Sequence, residues 1–220
     1  MASGNYGLSL VVVRNVPLFS GLDEGELERL SRVARRRRAE RGEYIVREGE
    51  STDFLYILLA GRAKVTNSDE DGKEIILALL GPGEFFGEMG LIDDSPRSAD
   101  VVAQEPCELL ILGSGEFQRC WRENFPVARK LMQILVGRLR DADRKIESLA
   151  LLDVYGRVAR LLIEMSEEQN GRRVVKRKIS KQEMARMIGA SREMVTKVMR
   201  DLEAGSYIAY EGDLLVIQGG

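Results

Sequence analysis

Two groups of residues in this 220-residue chain could do chemistry by their type and spacing. The first is Gly83-Glu84-Phe85-Phe86-Gly87-Glu88-Met89-Gly90-Leu91, followed by Pro96-Arg97-Ser98-Ala99. Its glycines let backbone approach a ligand closely, and a short helix starting near Glu88 would aim free N–H groups at an anion. Arg97 can fork onto phosphate oxygens, and Ser98 can donate one more hydrogen bond. Glu88 suits such a site only by accepting from a hydroxyl, as the ribose 2′-OH beside a cyclic phosphate would offer. A glycine-rich turn alone is also what a β-barrel uses structurally. Glu88 with Arg97-Ser98 nine residues on is the part that points to a ligand.

The second group lies in residues 178–203, read as two short helices joined by a tight turn at Ile188-Gly189-Ala190. Met184, Ala185, Ile188, Val195, Val198 and Leu202 fall at spacings that give each helix one apolar face. Gly189 supplies the positive φ of the turn, and Ser191 can cap the second helix. Arg192, Glu193, Thr196, Lys197 and Arg200 occupy the other face of that helix. This is a helix-turn-helix equipped to read double-stranded DNA.

Charge supports that reading. The chain as a whole has a net charge of −2, yet between Gly171 and Arg200 ten Lys/Arg stand against Glu183 and Glu193, a local +8. Phosphate attraction requires such a field, and the acidic remainder keeps the rest of the surface off DNA. The Arg35-Arg36-Arg37-Arg38 run reads instead as a solvated basic face. There is no histidine, and Cys107 and Cys120 are the only cysteines. Two cysteines cannot ligate an iron–sulfur cluster or a structural zinc, and no imidazole exists for haem, so no metal or redox cofactor is expected. Histidine-dependent catalysis is excluded, and no nucleophile–base pair marks an enzyme. Cys107 lies in an apolar run and is expected to be buried and unbridged. No apolar run reaches membrane-spanning length, and Leu8–Val13 lacks a basic leader and cleavage site, so a cytoplasmic protein is expected.

The elements that must position these groups follow from periodicity. Residues 1–14 read as a flexible leader, and Asp23 as the cap of a short helix carrying Leu27 and Leu30. Glu43–Val46, Phe54–Leu59, Arg62–Thr66, Glu74–Leu80, Ala99–Ala103 and Glu108–Leu112 read as strands punctuated by glycines, which implies an antiparallel barrel or jelly roll. A long helix is expected over Val127–Leu152, because Ala128, Met132, Leu135, Leu139, Ala142, Ile146 and Leu149 alternate steps of 4 and 3. That stripe fits a two-stranded parallel coiled coil in a homodimer; the other reading lays the helix on its own barrel. Asp153 reads as the cap that starts a further helix, Val154–Ser166, at a hinge.

With these motifs in view, the chain resembles the cyclic-AMP receptor protein/FNR superfamily of bacterial transcription regulators over about Pro17 to Gly220. The residues that carry the resemblance are Gly83–Leu91, Arg97-Ser98, Leu151-Leu152-Asp153-Val154 and Ser191-Arg192-Glu193-Met194-Val195. The resemblance implies an α+β protein with an N-terminal antiparallel β-roll (jelly-roll) cyclic-nucleotide domain over 15–126. A dimerisation helix over 127–152 and a C-terminal winged helix-turn-helix over 153–220 would follow, the wing being Tyr207–Ile217 around Glu211-Gly212-Asp213. It places Gly87, Glu88, Met89, Arg97 and Ser98 at the nucleotide. It also places Arg192, Glu193 and Lys197 at base-reading positions, with Ser180, Gln182, Ser191 and Thr196 completing the DNA-facing set. The helix-turn-helix proteins in which this docking geometry was defined include a member of this family, so the geometry is borrowed.

Three departures from the family pattern bear on the effector and the mode of action. Members that sense cyclic AMP place neighbouring hydroxyl residues on the long helix, where this chain has Ala142 and Asp143. Asp143 accepts only, so guanine's N1–H and N2–H suit it better than adenine's single amine, and Arg140 could reach a guanine edge. Arg140 and Asp143 could equally form an intrahelical i, i+3 ion pair. Cyclic AMP, cyclic GMP and cyclic di-GMP therefore all stand as effectors. Lys197 replaces the Arg of close relatives and gives up a bidentate fork on guanine. The Glu167–Arg173 loop is shorter than the one that touches RNA polymerase in close cyclic-AMP receptors, which weighs against activation through that contact. A regulator indifferent to ligand, with a purely structural β-roll, is the competing reading.

Overall fold

The computed structural model describes residues 10–176, 179–212 and 214–218. The chain divides into two compact units, with one boundary inside a long helix, between Arg138 and Leu139; residues 72–76 group with the second unit.

The first unit is built on two four-stranded antiparallel sheets. Strands β1 (Arg35–Ala39), β3 (Phe54–Ala60), β6 (Phe85–Phe86) and β8 (Cys107–Gly113) form one, in the order β1-β8-β3-β6. Strands β2 (Tyr44–Val46), β4 (Ala63–Ser68), β5 (Glu74–Leu80) and β7 (Asp100–Ala103) form the other, in the order β2-β7-β4-β5. The six predicted strands correspond to β2–β5, β7 and β8.

β3 reads as a continuous apolar run because its sheet is covered on both faces. Leu55 and Ile57 join Leu110, Leu112 and Phe117 in one core, whereas Tyr56 and Leu58 join Ile45, Val101 and Leu109 in another. A strand buried on one side only would alternate. The first core is closed by α1 (Leu10–Arg14), a 3-10 turn at Pro17–Phe19, α2 (Glu24–Val33), α4 (Ser114–Glu123) and the start of α5 (Phe125–Leu151). Asp23 caps α2 as predicted, in a reciprocal box with Glu26.

Some expectations are corrected. Residues 10–14 are helical, with Val13 fully buried, so these residues are not a flexible leader; the rest of that segment lies outside the described residues. The Arg35–Arg38 run forms strand β1; Arg35, Arg36 and Arg38 are exposed, as a solvated basic face requires, while Arg37 donates to the Ile45 carbonyl and Glu43. Glu167–Arg173 is no plain loop: β9 (Glu167–Gln169) and β10 (Arg172–Val175) form a hairpin around Asn170 and Gly171, both at positive φ. Both cysteines are buried and unbridged.

In the second unit α5 ends at Leu151, and Asp153 caps α6 (Val154–Met165) by accepting from Gly156 N at 2.8 Å. Helices α7 (Lys181–Ile188) and α8 (Arg192–Ala204) follow, then the hairpin β11 (Ile208–Glu211) and β12 (Leu214–Ile217). These two strands extend the sheet β11-β12-β10-β9. The expected wing is thus present; its Asp213 lies outside the described residues.

Candidate nucleotide cassette and DNA-reading helix

β6 pairs with β3 through Phe85 and Phe86, which delivers the chain to a turn at Gly87 and the short helix α3 (Met89–Asp93). Gly87 has φ +83°, and a Cβ there would lie 2.2 Å from Arg97 Nη1. Only glycine fits both demands. Arg97, 7 % exposed, donates from Nη1 to the Gly87 carbonyl and from Nη2 to the Phe54 carbonyl, each at 2.8 Å. Burial lowers the Arg97 pKa, opposed by Tyr56, Asp53, Glu88 and Glu50. The guanidinium stays cationic, and these bonds use two of its five N–H donors.

Glu88 is 2 % exposed, and its Oε1 accepts from Arg138 Nη1 at 2.7 Å. Arg138 comes from α5, also donates to the Phe85 carbonyl, and lies 4.7 Å from the Phe85 ring centroid. Among the described residues, Glu88 Oε2 accepts no hydrogen bond. Sequence reasoning missed Arg138, because an arginine on a long helix carries no mark of a partner fifty residues away. Ser98 and Met89 are exposed beside each other, with Ser98 Oγ 3.8 Å from Met89 Sδ. The structure therefore brings Gly87, Glu88, Met89, Arg97 and Ser98 together.

Arg140, Ala142 and Asp143 belong to the second unit and are exposed. The intrahelical pair expected as one alternative for Arg140 and Asp143 does not form among the described residues. The i, i+3 pair on this stretch joins Asp141 and Arg144 instead.

In the helix-turn-helix, all six predicted apolar residues are buried, and Met199 joins them. Gly189 is left-handed at φ +63°, and Arg157 Nη1 of α6 holds the same turn by donating to the Ile188 carbonyl at 2.8 Å. Ser180 and Ser191 cap α7 and α8, accepting from Glu183 N at 3.1 Å and Met194 N at 3.2 Å. Their hydroxyls thus fix helix starts. Thr196 is partly buried, and its Oγ1 donates to the Arg192 carbonyl. Gln182, Arg192, Glu193 and Lys197 are exposed, and among the described residues no ion pair engages them. The basic field is partly neutralised, since Arg172 pairs with Glu211 and Lys176 with Glu167. Arg177 and Lys178 lie outside the described residues.

A β-roll joined to a winged helix-turn-helix defines a DNA-binding protein that carries a nucleotide-binding fold. Sequence comparison agrees: residues 36–124 match the cyclic nucleotide-binding domain family and residues 156–218 the Crp-like helix-turn-helix domain family. The cAMP-activated global transcriptional regulator CRP of Pasteurella multocida is 36 % identical over 179 residues, 80 % of this chain and 86 % of the relative. The CRP-like protein Clp of Xanthomonas oryzae pv. oryzae is 32 % identical over 228 residues, 100 % of this chain and 99 % of the relative. The structure of the c-di-GMP responsive global regulator CLP from Xanthomonas campestris superimposes with a TM-score of 0.73 at 31 % identity, covering 90 % of this chain and 100 % of that one. The chain belongs to the cyclic-AMP receptor protein/FNR superfamily, as a cyclic-nucleotide-binding transcription regulator. Among the described residues no helix is long and apolar enough to cross a membrane.

Proposed function

We propose that this chain is a homodimeric, sequence-specific DNA-binding regulator gated by a cyclic nucleotide held at Gly87, Glu88, Met89, Arg97 and Ser98. The observation that carries the reading is a pair of oppositely charged side chains, Arg97 and Glu88, both more than nine-tenths buried beside one glycine turn. Burying charge is costly unless partners repay it, so such a pair is retained where a ligand needs a fixed cation and a fixed acceptor together. Arg97 and Ser98 would donate to the cyclic phosphate, and Glu88 would accept from the ribose 2′-OH.

Dimerisation through α5 is supported by its unpartnered apolar row. Met132, Val136, Leu139, Ile146 and Leu149 are between 46 % and 64 % exposed, and a second copy would cover them. Two reading helices brought one DNA turn apart, ~34 Å, would address a palindromic site. Arg192, Glu193 and Lys197 would meet base edges, with Gln182 at the backbone. Ligand shifts this equilibrium only by preferring one arrangement; a hundredfold preference supplies about 2.7 kcal/mol.

Ala142 and Asp143 favour a guanine nucleotide, cyclic GMP or cyclic di-GMP, over cyclic AMP, because Asp143 offers acceptors for N1–H and N2–H and Ala142 offers no hydroxyl. The named relatives divide in the same way, one being called cAMP-activated and the other c-di-GMP responsive. The deciding experiment is calorimetric titration with each nucleotide, repeated on Arg97→Ala, alongside binding to an operator-like duplex. Saturable binding of a guanine nucleotide that Arg97→Ala abolishes supports the reading, and cyclic-AMP binding reassigns the effector. Silence from all three favours a regulator indifferent to cyclic nucleotides.

A further inference from the structure

A glycine inside a helix is about 1 kcal/mol less favourable than alanine, so one that is kept there calls for a packing or functional reason. The helical glycines Gly25, Gly90, Gly115 and Gly156 all stand in the first turn of their helices. Among the described residues Gly137 alone lies deep inside one, midway along α5. A Cβ there would meet nothing within 4 Å, so no neighbour in the chain demands a glycine. A second copy on the apolar row would not demand one either. Gly137 is two residues from both Leu135 and Leu139, more than half a turn, which sets it on the far side of the helix from that row. What Gly137 does mark is a boundary, since the two compact units part between Arg138 and Leu139, one residue further on. The other candidate bend, at Asp153, is stitched shut. Arg160 Nη2 of α6 reaches back across it to Glu147 Oε2 of α5 at 3.3 Å, and Arg160 Nε pairs with Glu164 at 3.5 Å. A Cβ on Gly156 would stand 3.3 Å from Leu152 Cβ, so the two helices are tightly packed where they meet.

We infer that Gly137 is a hinge in α5, the point at which residues 139–151 move with the reading unit against the earlier part of the same helix. A glycine there loosens the helix without opening a void, and a helix bends where its ladder is weakest. Arg138, the next residue, is bound to Glu88 and to the Phe85 carbonyl. A nucleotide hydroxyl that engages Glu88 would therefore act one residue from the hinge. That coupling rests on the nucleotide reading above; the hinge itself does not. The moving joint is then the middle of α5, and the Asp153 corner travels as part of a rigid body.

The test is amide hydrogen exchange on the full chain, comparing wild type with Gly137→Ala and Arg160→Ala over residues 137–142. It is paired with fluorescence anisotropy on an operator-like duplex, with and without cyclic AMP, cyclic GMP or cyclic di-GMP. Alanine enters open space at Gly137 and favours the helix, so folding is not at risk. Wild-type amides 137–142 should exchange faster than those on either side in α5. Gly137→Ala should slow them about fivefold, the equivalent of ~1 kcal/mol of helix preference. It should also move the ratio of duplex affinities with and without nucleotide toward one, by about threefold or more. Even exchange along α5 in wild type, with no local slowing in the variant, overturns the hinge. Local slowing with an unchanged nucleotide effect overturns its regulatory role. A response altered by Arg160→Ala and not by Gly137→Ala moves the joint to Asp153 and overturns the inference. Wild-type protein that binds none of the three nucleotides overturns the nucleotide reading alone, and the exchange contrast then decides the hinge.

Discussion

Arg138 Nη1 lies 2.7 Å from Glu88 Oε1, so a side chain of the long helix α5 neutralises the buried acid of the Gly87–Glu88 turn. A ligand hydroxyl that engages Glu88 would share that acid with Arg138. Through Arg138, the proposed site would thus be linked to the helix that carries the expected dimer face.

Removing Arg138 strands a buried carboxylate. Arg138→Ala should destabilise the protein by about 3 kcal/mol, the low end for breaking a buried pair, since Arg138 keeps about a third of its side chain exposed. Adding Glu88→Gln to that variant removes the unpaired charge and should restore part of the loss. Urea unfolding of the single and double variants measures this coupling; strictly additive losses would mean that the two side chains do not support one another.

Two left-handed glycines should respond differently to alanine. At Gly87 the new methyl meets Arg97 Nη1, so Gly87→Ala must displace the guanidinium and should abolish nucleotide binding. At Gly189 the nearest atom is Leu149 Cδ2 at 3.5 Å, an ordinary contact. Gly189→Ala should therefore cost only the backbone conformation, about 1 kcal/mol, and leave nucleotide binding unchanged. Denaturant titration and calorimetry on both variants distinguish the cases.

Burial pushes the Cys120 thiol up to about 11 from a usual 9.0. The native state therefore holds this proton across a window where the unfolded chain releases it. The contribution is fully present below pH 9 and is lost as pH rises toward 11, up to about 2.7 kcal/mol at 1.36 kcal/mol per unit. Cys120→Ala should be less stable than wild type at pH 8, and the gap should close on going to pH 11, as read by urea unfolding. A gap independent of pH would show that the thiol ionises alike in both states.

The helix-turn-helix was legible because both its helices carry caps, and their apolar residues keep to one face. The strands from Phe54 to Gly113 were legible from branched residues between glycines. The Asn170-Gly171 turn carried a readable signal, since this dipeptide favours a tight hairpin, yet the flanking Glu167–Gln169 offers no apolar alternation. Arg35–Arg38 hid a strand because β1 pairs on one edge only and its first four residues are not buried. Arg138 was illegible for a different reason: its partner, Glu88, lies fifty residues away along the chain and only the fold brings the two within reach.

Reading of DNA should depend unequally on the exposed residues of α8. Arg192 sits in its first turn and is unpaired among the described residues, so it is free for a base edge. Arg192→Ala should cost roughly 1–3 kcal/mol on the cognate duplex and little on random DNA. Lys197 is a point donor where a bidentate fork would read guanine more sharply, so Lys197→Arg should widen the gap between cognate and mismatched duplexes. Fluorescence anisotropy over a range of salt concentrations separates the roles, because a phosphate contact lowers the salt slope by about one whatever the sequence. Equal losses on cognate and random DNA for Arg192→Ala would move that residue from base reading to the backbone. Specificity would then rest on Glu193 and Lys197, exposed on the same helix.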